Sequence, residues 1–151
     1  ATEYLVAGQE PQPLGTLHPQ IAPYGETFIC RCGGRVVLAV GNDRQFAALC
    51  GILGLSPLAS DARFAEKPDR VVHREALAQQ LAKAIEERDA NSLLASASER
   101  GVPMGRVNTI SEALNRPTGR AMTASFEWEG APVRHVRQVA FRVHRAGSRS
   151  T

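Results

Sequence analysis

Two hydrophobic periods alternate along the chain, and their boundaries predict its elements. Thr27–Cys32 and Arg35–Val40 are β-rich runs on either side of Gly33-Gly34, the pattern of a hairpin whose turn needs positive φ. Val36 to Val40 are continuously apolar, which predicts a strand covered on both faces. The period then changes. Phe46, Leu49, Cys50 and Leu53 stand at i, i+3, i+4 and i+7, one face of a helix that opens at Gly41-Asn42-Asp43 and stops at Gly54. Ser56-Pro57 predicts a further short turn, with Ser as cap and Pro at the first helical position. Asp61–Asp69 reads as irregular. Leu77, Leu81 and Ile85 recur every four residues and predict a long helix over Val71–Arg88, followed by a second over Ala90–Arg100 ended by Gly101.

Beyond Gly101 the pattern is mixed. Val102–Asn108 reads as extended because Pro103 and the glycines oppose helix. Thr109-Ile110-Ser111-Glu112 has the form of a capping box for a short helix reaching Asn115. Met122, Ala124, Phe126 and Trp128 alternate with polar residues, a half-buried strand. Glu129-Gly130 turns the chain, and Val133–Val143 returns as another strand, with Val139, Phe141 and Val143 at period two. Residues 1–25 carry neither period. They hold Pro11, Pro13, Pro19 and Pro23 with Gly8, Gly15 and Gly25, a density that breaks both helix and strand. Tyr4, Leu5, Val6, Leu14, Leu17, Ile21 and Tyr24 make this segment an apolar arm that packs on another surface. The fold class that follows is α+β: a small antiparallel sheet with helices packed on one side, preceded by the Pro/Gly-rich arm.

Composition narrows the class. A chain of 151 residues with 43% apolar and 22% charged residues has the make-up of one ordinary folded domain, which argues against disorder. The longest stretch without a polar side chain is Phe46–Leu55, ten residues where a membrane span needs about 20, so no membrane partner is expected. No basic segment followed by an apolar run marks a secretory signal. Three cysteines do not form a disulfide framework, which fits a reducing, cytoplasmic compartment. The chain begins at Ala1, consistent with processing or with a longer parent. The formal charge of +3 is local. Residues 131–151 hold Arg134, Arg137, Arg142, Arg145 and Arg149 and no acid, which leaves residues 1–130 at net −2. Arginine forks match phosphate oxygens. Without an aromatic stacking platform beside them, however, these arginines read as the wet face of a strand and a loose tail, with no nucleic-acid partner.

Candidate chemistry is sparse. Cys30-x-Cys32 places two thiols on one side of a strand, but four-ligand zinc needs a second pair and only Cys50 remains, so no metal is expected and the thiols read as small buried hydrophobes. Val40-Gly41-Asn42 leads from strand to helix N-terminus, an anion-binding geometry opposed by Asp43. Of His18, His73, His135 and His144, His18 is the one in a Pro/Gly loop where backbone can approach a ligand, and it admits both a structural and a catalytic role. The residues taken alone describe an α+β domain without a self-contained catalytic constellation.

Several segments, in order, resemble one family. They are Tyr4-Leu5-Val6-Ala7-Gly8, His18-Pro19-Gln20-Ile21-Ala22-Pro23-Tyr24-Gly25, Val36 through Phe46, Asp61-Ala62-Arg63-Phe64, Arg70, His73-Arg74, and Gly101-Val102-Pro103-Met104-Gly105-Arg106-Val107-Asn108. The series resembles the class III CoA-transferases, the CaiB/BaiF family, from about residue 4 to residue 143. The resemblance implies a small α+β domain, residues 26–145, entered through the connecting arm of residues 1–25 and followed by a loose tail, residues 146–151. It implies as partners a large Rossmann-like domain and the second subunit of an interlocked homodimer. The implied function is transfer of CoA between an acyl-CoA and a carboxylic acid, with coenzyme A as a substrate moiety and no separate cofactor. Racemisation beside the thioester carbonyl, or a non-catalytic assembly or binding module, are the alternatives. No residue here matches the family's catalytic aspartate, and the family's closing Gly-Glu-His segment is absent, so the chain resembles a domain, a fragment or a degenerate member, inactive by itself. The resemblance places no catalytic residue in this chain and sets His18, Pro19, Tyr24 and Gly25 at the border of the acyl-CoA site.

Overall fold

A computed structural model of the chain describes residues 5, 6, 8 and 15–136. Tyr4 and Leu14 of the arm, the strand positions Val139, Phe141 and Val143, and the tail at 146–151 lie outside the described residues. The chain divides into two compact units, Ala1–Val107 and Asn108–Thr151.

In the first unit, β1 (Tyr24–Ile29), β2 (Arg35–Ala39) and β3 (Met104–Val107) form an antiparallel sheet in the order β1-β2-β3. The register between β1 and β2 shifts between Tyr24 and Thr27, so the sheet is irregular where the arm enters it. The hairpin is present with a longer connection than predicted: Cys30 N–H donates to the Gly34 carbonyl at 2.8 Å and Gly33 N–H to the Cys30 carbonyl at 2.8 Å. Gly33 supplies the positive φ, +76°. The strand predicted to be covered on both faces is corrected. Val36, Leu38 and Val40 are buried, whereas Val37 and Ala39 are half-buried, because the helices collect on one face of the sheet.

The first helix, α1 (Asp43–Leu53), is built as its pattern predicts. The Asn42 side chain accepts the Gln45 N–H, Gly54 closes the helix in the left-handed conformation, and Phe46, Leu49, Cys50 and Leu53 are buried. A 3₁₀ turn over Ser56–Ser60 is capped by Leu55 rather than Ser56. The single helix expected over Val71–Arg88 is two: α2 (Lys67–Val72) begins inside the stretch read as irregular, and α3 (Arg74–Glu86) follows after His73, which ends one helix and starts the next at φ −102°, ψ 26°. The period-four signal of Leu77, Leu81 and Ile85 constrains only α3. Asp89 caps α4 (Ala90–Glu99) by accepting the N–H groups of Asn91 and Ser92. The core joins Phe28, Val36, Leu38 and Val40 of the sheet face to Phe46, Leu49 and Leu53, to Leu77, Leu81 and Ile85, and to Ala90, Leu93 and Ala97. The fold is α+β, as the sequence predicts.

In the second unit, α5 (Ile110–Asn115) opens with the expected capping box: Glu112 N–H donates to Thr109 Oγ1 and Thr109 N–H to Glu112 Oε2. A further short helix, α6 (Pro117–Met122), starts on a proline that fits the first helical turn. β4 (Thr123–Trp128) and β5 (Ala131–Val136) form a separate two-stranded sheet turning at Glu129 and Gly130, both at positive φ. The alternation in β4 predicted a half-buried face. Instead Phe126 and Trp128 are exposed, because among the described residues no element packs over that face of the hairpin.

Candidate functional site

The His18–Gly25 loop leads into β1 and is held by its own backbone, by β2 and by two arginines. Its ends meet where His18 N–H donates to the Tyr24 carbonyl at 2.9 Å. Gln20 N–H donates to His18 Nδ1 at 3.1 Å, so the neutral ring carries its proton on Nε2. The His18 and Tyr24 rings meet edge to face, 5.4 Å between centroids. Gly25 is indispensable to this closure: its φ is +90°, and a Cβ there would stand 1.8 Å from the Thr16 carbonyl oxygen. The Thr16 hydroxyl donates to the Gly25 carbonyl at 2.8 Å, and Val40 N–H donates to the Pro23 carbonyl at 3.0 Å, tying the loop to the end of the central strand.

The arginines come from the α2–α3 junction. Arg70 is 1% exposed, a burial that costs heavily unless every donor is matched. Its Nε donates to the Ala22 carbonyl at 3.0 Å, Nη1 to the carbonyls of Phe64 and Ala65 at 2.8 and 3.0 Å, and Nη2 to Asp43 Oδ1 at 2.5 Å. The guanidinium also lies over the Phe46 ring, 4.5 Å from its centroid. Arg74 donates from Nη2 to the carbonyls of His18 and Ile21 at 2.5 and 2.8 Å, and from Nη1 to Glu26 Oε1 at 2.6 Å. Glu26 is buried, and its Oε2 has no hydrogen-bond partner among the described residues.

The structure therefore brings together His18, Pro19, Tyr24 and Gly25, all four of the residues singled out from sequence. His18 is half-buried, Pro19 and Tyr24 are exposed, and Gly25 is buried. What sequence reasoning missed is the role of Arg70 and Arg74, which entered only as matching positions. A signal existed. Arg74 stands three residues before Leu77 on the stripe that continues through Leu81 and Ile85, a core-facing position where a cation needs a buried partner. The Asn42-Asp43-Arg44-Gln45-Phe46 segment acquires a physical reading as well: Asn42 caps α1, Asp43 pairs with Arg70, and Phe46 underlies its guanidinium.

The cysteines divide. Cys30 and Cys50 are buried, and burial pushes both thiols up, Cys50 to about 11. Cys32 is exposed, which corrects its reading as a buried hydrophobe. Among the described residues no helix is long and apolar enough to cross a membrane, and no three His, Cys, Asp or Glu side chains gather as metal ligands.

Chemically, the loop offers an aromatic wall with a hydroxyl at Tyr24 and an imidazole of defined tautomer at His18, the features of a binding edge for a partly apolar ligand, while Gly25 is buried against Thr16 and serves the loop's closure.

Known proteins resemble this chain along most of its length. CoA-transferase family III matches residues 1–150. The succinate–glutarate CoA-transferase of Agrobacterium fabrum is 36% identical over 118 residues, covering 78% of this chain and 29% of that protein. The acetyl-CoA:oxalate CoA-transferase of Acetobacter aceti is 36% identical over 110 residues, covering 73% of this chain and 28% of its own length. A crystal structure of a CaiB/BaiF family protein from Brucella suis superposes with a TM-score of 0.78 at 34% identity, over 94% of this chain and 36% of that one. The chain thus spans less than a third of the length of these two curated relatives. By the extent of these matches and by the fold they share, the chain belongs to CoA-transferase family III, the CaiB/BaiF family.

Proposed function

We propose that this chain is the small domain of an acyl-CoA:carboxylate CoA-transferase, active when joined to a large Rossmann-like domain that carries the nucleophilic aspartate. In that enzyme a carboxylate attacks the acyl-CoA thioester, and CoA is held while carboxylates exchange. Residues 1–25 are the arm that connects the two domains, residues 26–145 are the small domain, and residues 146–151 are a tail. The working unit is an interlocked homodimer in the cytoplasm that needs no cofactor beyond the coenzyme A of its substrate. His18, Pro19, Tyr24 and Gly25 border the acyl-CoA site. The observation that supports this reading is the double clamp on the loop: the buried Arg70, the half-buried Arg74 and a backbone bond from Val40, just past β2, fix a segment whose His18 is half-buried and whose Tyr24 is exposed. A loop so constrained suits a preorganised binding edge. The names of the relatives favour transfer over racemisation.

The test is a chimera in which residues 5–122 of this chain replace the matching segment of the Agrobacterium fabrum relative. Transfer of CoA from succinyl-CoA to glutarate by the chimera supports the assignment, and His18→Ala or Tyr24→Phe in it should weaken acyl-CoA kinetics without lowering the melting temperature. A folded chimera without transfer, or kinetics unchanged in both variants, rejects it. The 151-residue chain alone should transfer nothing.

A further inference from the structure

Each carbonyl from Ile21 to Tyr24 accepts a hydrogen bond from within the chain. Arg74 Nη2 donates to Ile21, Arg70 Nε to Ala22, Val40 N–H to Pro23 and His18 N–H to Tyr24. The two arginines divide this work unequally. Arg70 directs its other nitrogens to Phe64, Ala65 and Asp43, so it joins α1 to the segment before α2 and touches the loop once. Arg74, the first residue of α3, grips the loop at both ends of its opening turn. Its Nη2 reaches the His18 carbonyl at 2.5 Å and the Ile21 carbonyl at 2.8 Å, while its Nη1 reaches Glu26 Oε1 at 2.6 Å. One planar group thus ties the turn to β1.

The His18 ring depends on the same turn. Gln20 N–H donates to His18 Nδ1 at 3.1 Å, a bond that forms only where residue 20 folds back on residue 18. Arg74 holds the two carbonyls that flank this fold. With Nδ1 accepting, the neutral ring carries its proton on Nε2, and that N–H has no partner among the described residues. A donor held in place and left unmatched is preorganised for an acceptor on a ligand.

We propose that Arg74 is a positioning residue for the acyl-CoA site: anchored by Glu26, it fixes the turn that presents the His18 Nε2–H to an oxygen acceptor of the substrate. This rests on the reading of the loop as the border of that site. Arg74 acts through His18 and touches no substrate itself. The shape of the guanidinium matters here more than its charge. A lysine would keep a cation beside Glu26, but a point donor on a flexible stem cannot serve two carbonyls and a carboxylate in one plane.

Two measurements separate the grip on the loop from the transferase reading. The first is amide hydrogen exchange on the full 151-residue chain. It compares the parent with Arg74→Lys and with the double variant Arg74→Met, Glu26→Leu, which leaves no orphaned charge should the lysine variant fail to fold. In both, the His18 and Gln20 amides should exchange about tenfold faster relative to those of Leu49 and Leu81. The second is kinetics in the chimera described above. Arg74→Lys should raise KM for succinyl-CoA about tenfold and change kcat by less than about twofold. In a His18→Ala background the same substitution should add almost nothing, since the group it positions is gone. Unchanged relative exchange at His18 and Gln20 overturns the grip. An unchanged KM, or a rise that keeps its full size in the His18→Ala background, overturns the positioning role. A folded parent chimera without transfer rejects the transferase reading and the substrate named here, while the exchange rates still decide whether Arg74 fixes His18.

Discussion

Arg74 and Glu26 form an ion pair across 48 positions of sequence, Nη1 to Oε1 at 2.6 Å, with both side chains mostly removed from water. The other terminal nitrogen of the same guanidinium reaches the carbonyls of His18 and Ile21. One side chain thus fixes the start of β1 and the loop before it. The planar fork of arginine suits this, because its donors are held in one plane and can serve a carboxylate and two carbonyls at once.

Arg74→Ala leaves Glu26 as a buried carboxylate without a counter-charge. The expected loss is about 3 kcal/mol, at the lower end of what removing one member of a buried pair costs. A double variant, Arg74→Met with Glu26→Leu, removes the orphaned charge and should lose less than the single one. Urea denaturation of the three proteins measures this. A single variant as stable as the parent would mean that the pair is solvated.

Gly25→Ala should be among the most damaging small substitutions. The added methyl meets the Thr16 carbonyl oxygen at 1.8 Å, a backbone atom that cannot rotate aside, on a residue already at φ +90°. A destabilisation of about 2–3 kcal/mol is expected. Gly33→Ala, also at positive φ but with nothing within 4 Å, should cost only about 1 kcal/mol. Equal melting temperatures for the two variants would contradict the close approach at Gly25.

What the sequence made legible is what local periodicity encodes. The buried face of α1, its Asn42 cap and its Gly54 stop follow from spacing alone, and so does the capping box at Thr109. The break at His73 does not. Residues on either side are acceptable in helix, and the break is favoured by long-range partners: Arg70 reaches back to Ala22 and Asp43, and Arg74 to His18 and Glu26. The candidate loop was visible through its prolines and glycines, but its clamp was not, since nothing local tells which carbonyl an arginine 50 residues away will meet. The exposure of Trp128 was equally hidden. Alternation indicates a strand with an apolar face and carries no information on whether that face is covered.

The acid response should contain a contribution from Asp61. Its carboxyl is held down to about 2 from 3.8, first by the Arg63 side-chain hydrogen bonds and then by the Arg63 backbone N–H, with smaller help from the charges of Arg63 and His73. A carboxyl depressed in the folded state stabilises it fully above the unfolded value, and that contribution is lost as pH falls through the folded one. The contribution of Asp61 is therefore present above about pH 4 and fades toward pH 2. Asp61→Asn should flatten the stability profile across that window while leaving the slope above pH 5 unchanged. A carboxyl titration by NMR that places Asp61 near 4 would refute the assignment.

Trp128 gives a direct reading of the β4–β5 hairpin, because it is the only tryptophan in the chain. Its side chain is 63% exposed and pairs across the strands with Ala131, while Phe126 beside it on the same face pairs with Val133 and meets His135 edge to face at 5.5 Å. A two-stranded hairpin with an uncovered apolar face is marginal by itself, so this surface gains by association. In dilute solution the indole emission should be red-shifted and quenched by acrylamide nearly as efficiently as free tryptophan. Raising the protein concentration should shift the emission to the blue and protect it if the face associates with a second copy. Trp128→Ala should change the stability of the dilute chain by less than about 0.5 kcal/mol, as for an exposed side chain that fills no core. A blue, protected emission at the lowest concentration, with a large loss of stability in Trp128→Ala, would show that the face is covered within the single chain and would overturn its exposure.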